Sequence, residues 1–131
     1  MDIKYLRFAV FCGACIPIIA GAWGIACSIS WLGGIADGNA LDSHFRYLSG
    51  LLLGLGLAFW GCIPKLDERT SHFPILVCIV VVGGLARLWS AIESGMPTPQ
   101  MQFGLGMELI ITPSLGLWHQ YLLRNHKIEL R

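Results

Sequence analysis

Three charged residues stand where charges are rare: Arg46, Arg87 and Glu108 each fall within or at the edge of a long apolar run. A guanidinium offers a planar fork of donors that matches a carboxylate or a phosphate, so two arginines and one carboxylate can hold an anion or move a proton. A second chemistry is suggested by Cys12-Gly-Ala-Cys15, which has the spacing of thiol redox motifs. Cys62 and Cys78 would lie in the same half of the molecule as that pair, a grouping that could exchange disulfides or bind a soft metal. The histidines are scattered, and a haem held between His72 and His119 is the one cofactor geometry they offer. Interfacial histidines are more often solvated and buried cysteines more often small hydrophobes, so the expectation is no metal and no cofactor. No HExxH, GxSxG or phosphate loop is present, so an enzyme is the less favoured class. The near-neutral charge of +1 gives no case for nucleic acid.

The elements that must position these residues follow from composition. Of 131 residues, 55% are hydrophobic and only 13% charged, about half the charge of an ordinary soluble domain. Four apolar segments reach the roughly 20 residues that span a bilayer, predicting helices over 8–31, 45–63, 73–92 and 101–123 in one transmembrane domain over 1–131. Short connections make sequential helices antiparallel neighbours, an all-α four-helix up-down arrangement. Asp42 or Ser43 is expected to cap the second helix, Pro64 to follow it, Gly95 to follow the third, and Thr98-Pro99 to open the fourth.

Orientation comes from Lys and Arg, which are retained on the cytoplasmic side. Lys4, Arg7, Lys65, Arg69, Arg124, Lys127 and Arg131 fall on one side, seven of the nine basic residues. Both termini are therefore expected in the cytoplasm, with Arg46 and Arg87 in the outer half of an inner membrane. Trp31, Tyr47 and Trp89 would mark the outer interface, and Tyr5, Trp60, Trp118 and Tyr121 the inner one. A cleavable signal peptide ending near Ala20-Gly21-Ala22 is the competing reading of the N-terminus, but the apolar run continues to Trp31, past a typical signal length.

Residues four apart share a helix face, which predicts small or polar stripes: Ala20, Gly24 and Ser28; Arg46, Gly50, Gly54 and Ala58; Gly83, Arg87 and Ala91; Gly104, Glu108, Thr112 and Gly116. Small residues mark the faces where membrane helices approach closely. At 1.5 Å per residue, Arg87 and Glu108 lie roughly 8 and 10 Å from the outer ends of their helices. They can meet at one level, with Arg46 nearby and Asp42, His44 and Glu93 as a polar lid. The bland account is an ion pair that only fixes register. The functional account is a ligand site of Arg46, Arg87, Glu108, His44, Asp42 and Glu93. A proton-coupled form would require desolvation of Glu108 to outweigh its arginine neighbours.

His44-Phe45-Arg46-Tyr47-Leu48-Ser49-Gly50, Gly83-Gly84-Leu85-Ala86-Arg87-Leu88, the Gly95-Met96-Pro97 turn and Glu108 together resemble a family of small four-helix bacterial integral membrane proteins catalogued as domain of unknown function 4345. The resemblance implies a multi-pass inner-membrane protein with the same bundle and supplies no activity. The expected function is a non-enzymatic binding or transport module for a small anionic or amphipathic ligand, with membrane lipid as the first partner. The alternative is an accessory subunit, or a homodimer docked through Gly50 and Gly54; a membrane thiol redox protein comes third.

Overall fold

The computed structural model describes residues 3–27, 39–68, 71–96 and 98–129, with Asn39 and the last four described by backbone alone. Expectations resting on Ser28, Trp31, Arg69, Pro97, His126, Lys127 and Arg131, and on the connection over 32–38, lie outside the described residues and side chains. Among the described residues the chain is all-α, without strands: α1 (Ile3–Cys27), α2 (Asn39–Cys62), a 3-10 turn (Ile63–Lys65), α3 (Phe73–Ser94), α4 (Pro99–Gly106), a π turn (Met107–Ile111) and α5 (Thr112–Glu129). Segments α4, the π turn and α5 follow one another without a break and form a fourth helical rod. The α1, α2 and α3 helices are long and apolar enough to cross a membrane.

The helix ends depart from expectation most at the starts of α1 and α2 and at the end of the fourth rod, which runs past residue 123 to Glu129. The α2 helix begins at Asn39, so Asp42 and Ser43 lie inside it and not at its N-cap position; Asp42 pairs with Arg46 one turn later. The α1 helix begins at Ile3, taking Lys4 and Arg7 into its first turns. The other signals behave as predicted. Pro64 lies in the 3-10 turn that ends α2, Thr98 precedes a fourth rod that opens on Pro99, and Gly95 closes α3 at a φ of 93°, where a side chain would be strained. Before α3, the Ser71 hydroxyl accepts the Phe73 N–H at 3.3 Å.

Packing divides into two units, Val10–Gly61 and the combination of Met1–Ala9 with Cys62–Arg131. In the first of these, α1 and α2 run antiparallel along a glycine seam. A Cβ at Gly21 would stand 2.6 Å from Leu53 N and 2.7 Å from Ser49 O, and one at Gly56 would stand 2.6 Å from Ile18 Cγ1. A Cβ at Gly24 would strike Ser49 Oγ. At one end Phe11 and Trp60 stack with centroids 5.1 Å apart, and Trp60 Nε1 donates to Phe11 O at 3.3 Å.

Contacts therefore run through 11, 14, 18 and 21 on α1 and through 49, 53, 56 and 60 on α2, alternating steps of three and four. On α1 and α2 this departs from the strict four-residue stripes, although Gly24 stays in contact with α2. Four residues rotate a helix by about 400°, so such a stripe drifts about 40° at every step, whereas alternating steps keep to one face. Gly50 and Gly54 consequently lie off the α1 seam, and among the described residues nothing stands within 4 Å of a Cβ added at either.

The second unit repeats the alternation on α3, where Phe73, Gly84 and Ala91 are buried and Val77 packs on Gly116. Gly84, not Gly83, is the contact glycine: its Cβ would meet Leu109 Cδ2 at 2.8 Å and Glu108 Cβ at 2.9 Å, while Gly83 faces open space. Since 77 faces 116, 84 faces 109 and 87 faces 108, α3 runs antiparallel to the fourth rod.

Adding a methyl group at Gly21 forces the α1 and α2 backbones apart. We expect Gly21→Ala to destabilise the protein by about 1–3 kcal/mol, and Gly54→Ala to be neutral or stabilising by up to about 1 kcal/mol, since alanine is the better helix former in open space. Unfolding by detergent titration, following helicity, measures both.

Candidate functional site

Arg87 and Glu108 meet side by side. Arg87 Nε donates to Glu108 Oε2 and Nη2 to Oε1, both at 3.0 Å, a two-point ion pair between α3 and the π turn. Their side chains are 35% and 18% exposed, so the carboxylate is the more enclosed partner. The α3 helix delivers Arg87 three residues after Gly84, whose missing side chain lets Glu108 Cβ come close. Among the described residues no hydrogen bond engages Nη1, on the other edge of the guanidinium. Arg87 Nη1 faces Gly104, where an added Cβ would stand 4.0 Å away.

The expectation that Arg87 and Glu108 lie at one level and face each other agrees with this geometry. Glu93, one of the proposed lid residues, is exposed near the end of α3 in the same unit.

Arg46, Asp42 and His44 belong to the α1–α2 unit. Arg46 Nε donates to Asp42 Oδ2 at 2.8 Å and Nη1 donates to Ile25 O at the far end of α1. This arginine therefore already has a carboxylate and a carbonyl partner. Asp42, expected as a helix cap and lid residue, is the carboxylate that pairs with Arg46. His44 is exposed, with its ring tilted toward Tyr47 at 6.3 Å.

A polar junction not anticipated from the sequence lies at the start of α1. Leu6, Leu66 and Phe73 are fully buried and His119 is 1% exposed. His119 Nε2 lies 2.9 Å from Leu66 O. A carbonyl only accepts, so Nε2 carries the hydrogen. Phe73 meets the imidazole edge-on at 5.0 Å. Arg7 Nη2 donates to Pro64 O and to Asp67 Oδ1, each at 3.0 Å. Arg7 and His119 thus hold the short connection after α2 by its carbonyls at 64 and 66. A backbone that leaves helical structure there needs partners for those groups. With Nε2 committed to Leu66 and the ring enclosed, His119 is not presented to a haem shared with the exposed His72.

The thiol motif stays within its own helix: Cys15 Sγ donates to Phe11 O at 3.3 Å, one turn back, and Cys12 is exposed. Cys62 is buried, and Cys78 is exposed on α3. Among the described residues no group of three His, Cys, Asp or Glu side chains converges as a metal site would require.

The π turn was also unforeseen, though Thr112-Pro113 in the middle of an apolar run was a visible signal for it. Residue 113 has no N–H for the carbonyl of residue 109, and prolines inside membrane helices are accommodated by local π adjustment and by Ser or Thr side chains. Here Thr112 gives both its N–H and its hydroxyl, at 2.8 Å, to Met107 O.

Breaking this pair should be worse than inverting it. Arg87→Ala is expected to destabilise by about 1–3 kcal/mol through the enclosed, unpaired Glu108, and the swap Arg87→Glu with Glu108→Arg to recover at least half of that loss. Unfolding titrations of the three variants give the comparison.

Residues 5–119 match the family model described as Domain of unknown function (DUF4345). No curated protein and no solved structure matches the chain.

Proposed function

The chain belongs to that family of unknown function, and on this premise we propose that it is a non-enzymatic membrane module that binds an anionic or amphipathic ligand at Arg87. The observation that carries the reading is a guanidinium with only one edge in use. Arg87 lies seven residues inside the end of α3, roughly 10 Å along the helix, where an ionised side chain is costly and is commonly functional. Glu108 holds Nε and Nη2 and thereby fixes the plane of the fork. Nη1 faces Gly104, and the absence of a side chain there leaves room for a phosphate or carboxylate oxygen. Exposed Trp89 and Ile92 on α3, Met96 in the connection after it and Phe103 on α4 supply apolar surface for an acyl chain, so a lipid headgroup and a soluble anion share the same recognition chemistry.

Arg46 with Asp42 and His44 is a second candidate polar station, placed in the other packing unit, and Glu93 is a further candidate contact near the end of α3. The reading includes a multi-pass inner-membrane location with both termini in the cytoplasm, supported by the distribution of the basic residues. Transport would add alternating access to the same binding chemistry.

The alternative reading, an accessory subunit or homodimer, is favoured by one observation: no atom of the described residues stands within 4 Å of a Cβ added at Gly50 or Gly54, and Ala58 beyond them is exposed. Such a small-residue face suits close approach by another helix.

Native mass spectrometry of the protein in mild detergent, with phosphatidylglycerol, phosphatidylcholine or inorganic phosphate added separately, tests the first reading. Retention of phosphatidylglycerol or phosphate by the native protein, with at least tenfold weaker retention by Arg87→Ala and Gly104→Leu, is the expected result. Equal retention by all three proteins overturns it, and a dimer or co-purifying subunit lost in Gly54→Leu moves the accessory reading to first place.

A further inference from the structure

The fourth rod keeps a strict four-residue repeat, Gly104, Glu108, Thr112 and Gly116, and yet presents its first, second and fourth members to α3. Gly104 lies beside Arg87, Glu108 pairs with Arg87, and a Cβ at Gly116 would meet Val77 Cγ1 at 3.0 Å. In an uninterrupted α-helix the eight residues from Glu108 to Gly116 would turn these two positions about 80° apart. The π turn takes one extra residue into a single wide loop and removes about 100° of that rotation, leaving the two within about 20° of one face. The twelve residues from Gly104 to Gly116 then behave as eleven, which close three turns almost evenly.

We propose that Pro113 is the positioning residue of the ion pair, aiming Glu108 at Arg87 through the π turn. An α-helical register here needs the N–H of residue 112 on the carbonyl of Glu108 and that of residue 113 on the carbonyl of Leu109. Proline has no N–H, and its ring collides with the carbonyl four residues earlier. Thr112 directs both its N–H and its hydroxyl to Met107 instead. Both bonds that would tighten the turn around Glu108 are therefore lost, and the wide turn is kept. Beyond the proline the α-helix resumes, and Ser114 Oγ adds a side-chain bond to Ile110 O at 2.6 Å. Ile110 and Ile111 are 65% and 43% exposed, so the bulge is pushed outward, away from α3, and Glu108 is turned inward. This positioning role concerns the ion pair alone and stands whether or not Arg87 takes a ligand.

The test is a double-mutant cycle of Arg87→Ala and Glu108→Ala, read as unfolding equilibrium constants of the full chain in detergent without added ligand. In the native background the two substitutions are expected to couple by roughly three- to tenfold. In a Pro113→Ala background the α-register can close, Glu108 rotates off Arg87, and the coupling falls to less than about twofold. Deleting Ile110 from Pro113→Ala removes one residue from an otherwise regular helix, returns Glu108 to the face of Gly116 and restores the native coupling.

Coupling that survives Pro113→Ala, or that the deletion fails to restore, overturns the proposal. If Pro113→Ala alone does not fold, the same cycle in the deletion background decides: native coupling supports the positioning role, and its absence refutes it.

Discussion

Close approach of helix backbones is the constraint on which the rest of this structure depends. In a bilayer an apolar side chain gains little by exchanging a lipid neighbour for a helix neighbour, so contact must come from van der Waals packing and hydrogen bonds at short range. Gly21, Gly56, Gly84 and Gly116 supply that range, since a Cβ at any of them would stand 3.0 Å or less from the facing helix. A seam of this kind tolerates no rotational error, because turning a helix by one residue, about 100°, carries its glycines off the contact. The α1, α2 and α3 helices hold their seams by alternating steps of three and four. The fourth rod holds its seam with a π turn.

The ion pair depends on that geometry. Arg87 follows Gly84 on the seam side of α3, and Glu108 sits in the widened turn that Gly84 admits. Enclosing two opposite charges costs desolvation that their attraction only partly offsets, so the pair is better understood as a device that fixes the relation of two helices and presents one guanidinium edge. The same logic separates Arg46, whose partners are Asp42 on its own helix and the Ile25 carbonyl on α1.

At the beginning of α1 the organising interactions are of another kind. The chain leaves helical structure after α2, and the carbonyls released there need donors. Arg7 and His119 provide them, one with an exposed carboxylate, Asp67, as a second partner and the other inside a cluster of Leu6, Leu66 and Phe73. His119 looks like a boundary residue in the sequence and is a core residue in the structure, because its hydrogen bond to Leu66 supplies the polar contact that burial demands.

Legible from the residues alone were the all-α class, four apolar helical rods, the starts of α3 and α4, the closure of α3 at Gly95, and an Arg87 and Glu108 able to meet at one level; that three of the rods are helices long and apolar enough to cross a membrane is the structure's finding. These follow from local quantities: runs of apolar residues, proline and glycine at helix ends, and the cost of an unpaired charge among apolar side chains. Which glycines form the contacts was decided only by the tertiary structure. A four-residue spacing names a neighbourhood on the helix surface, not a face, and its drift separated Gly50, Gly54 and Gly83 from the seams that run through Gly56 and Gly84. The carbonyls of Ile25 and Leu66 that Arg46 and His119 meet were hidden for the same reason. Each depends on where a second helix places its backbone, and a carbonyl or a gap on a neighbouring element leaves no mark in the residues it serves.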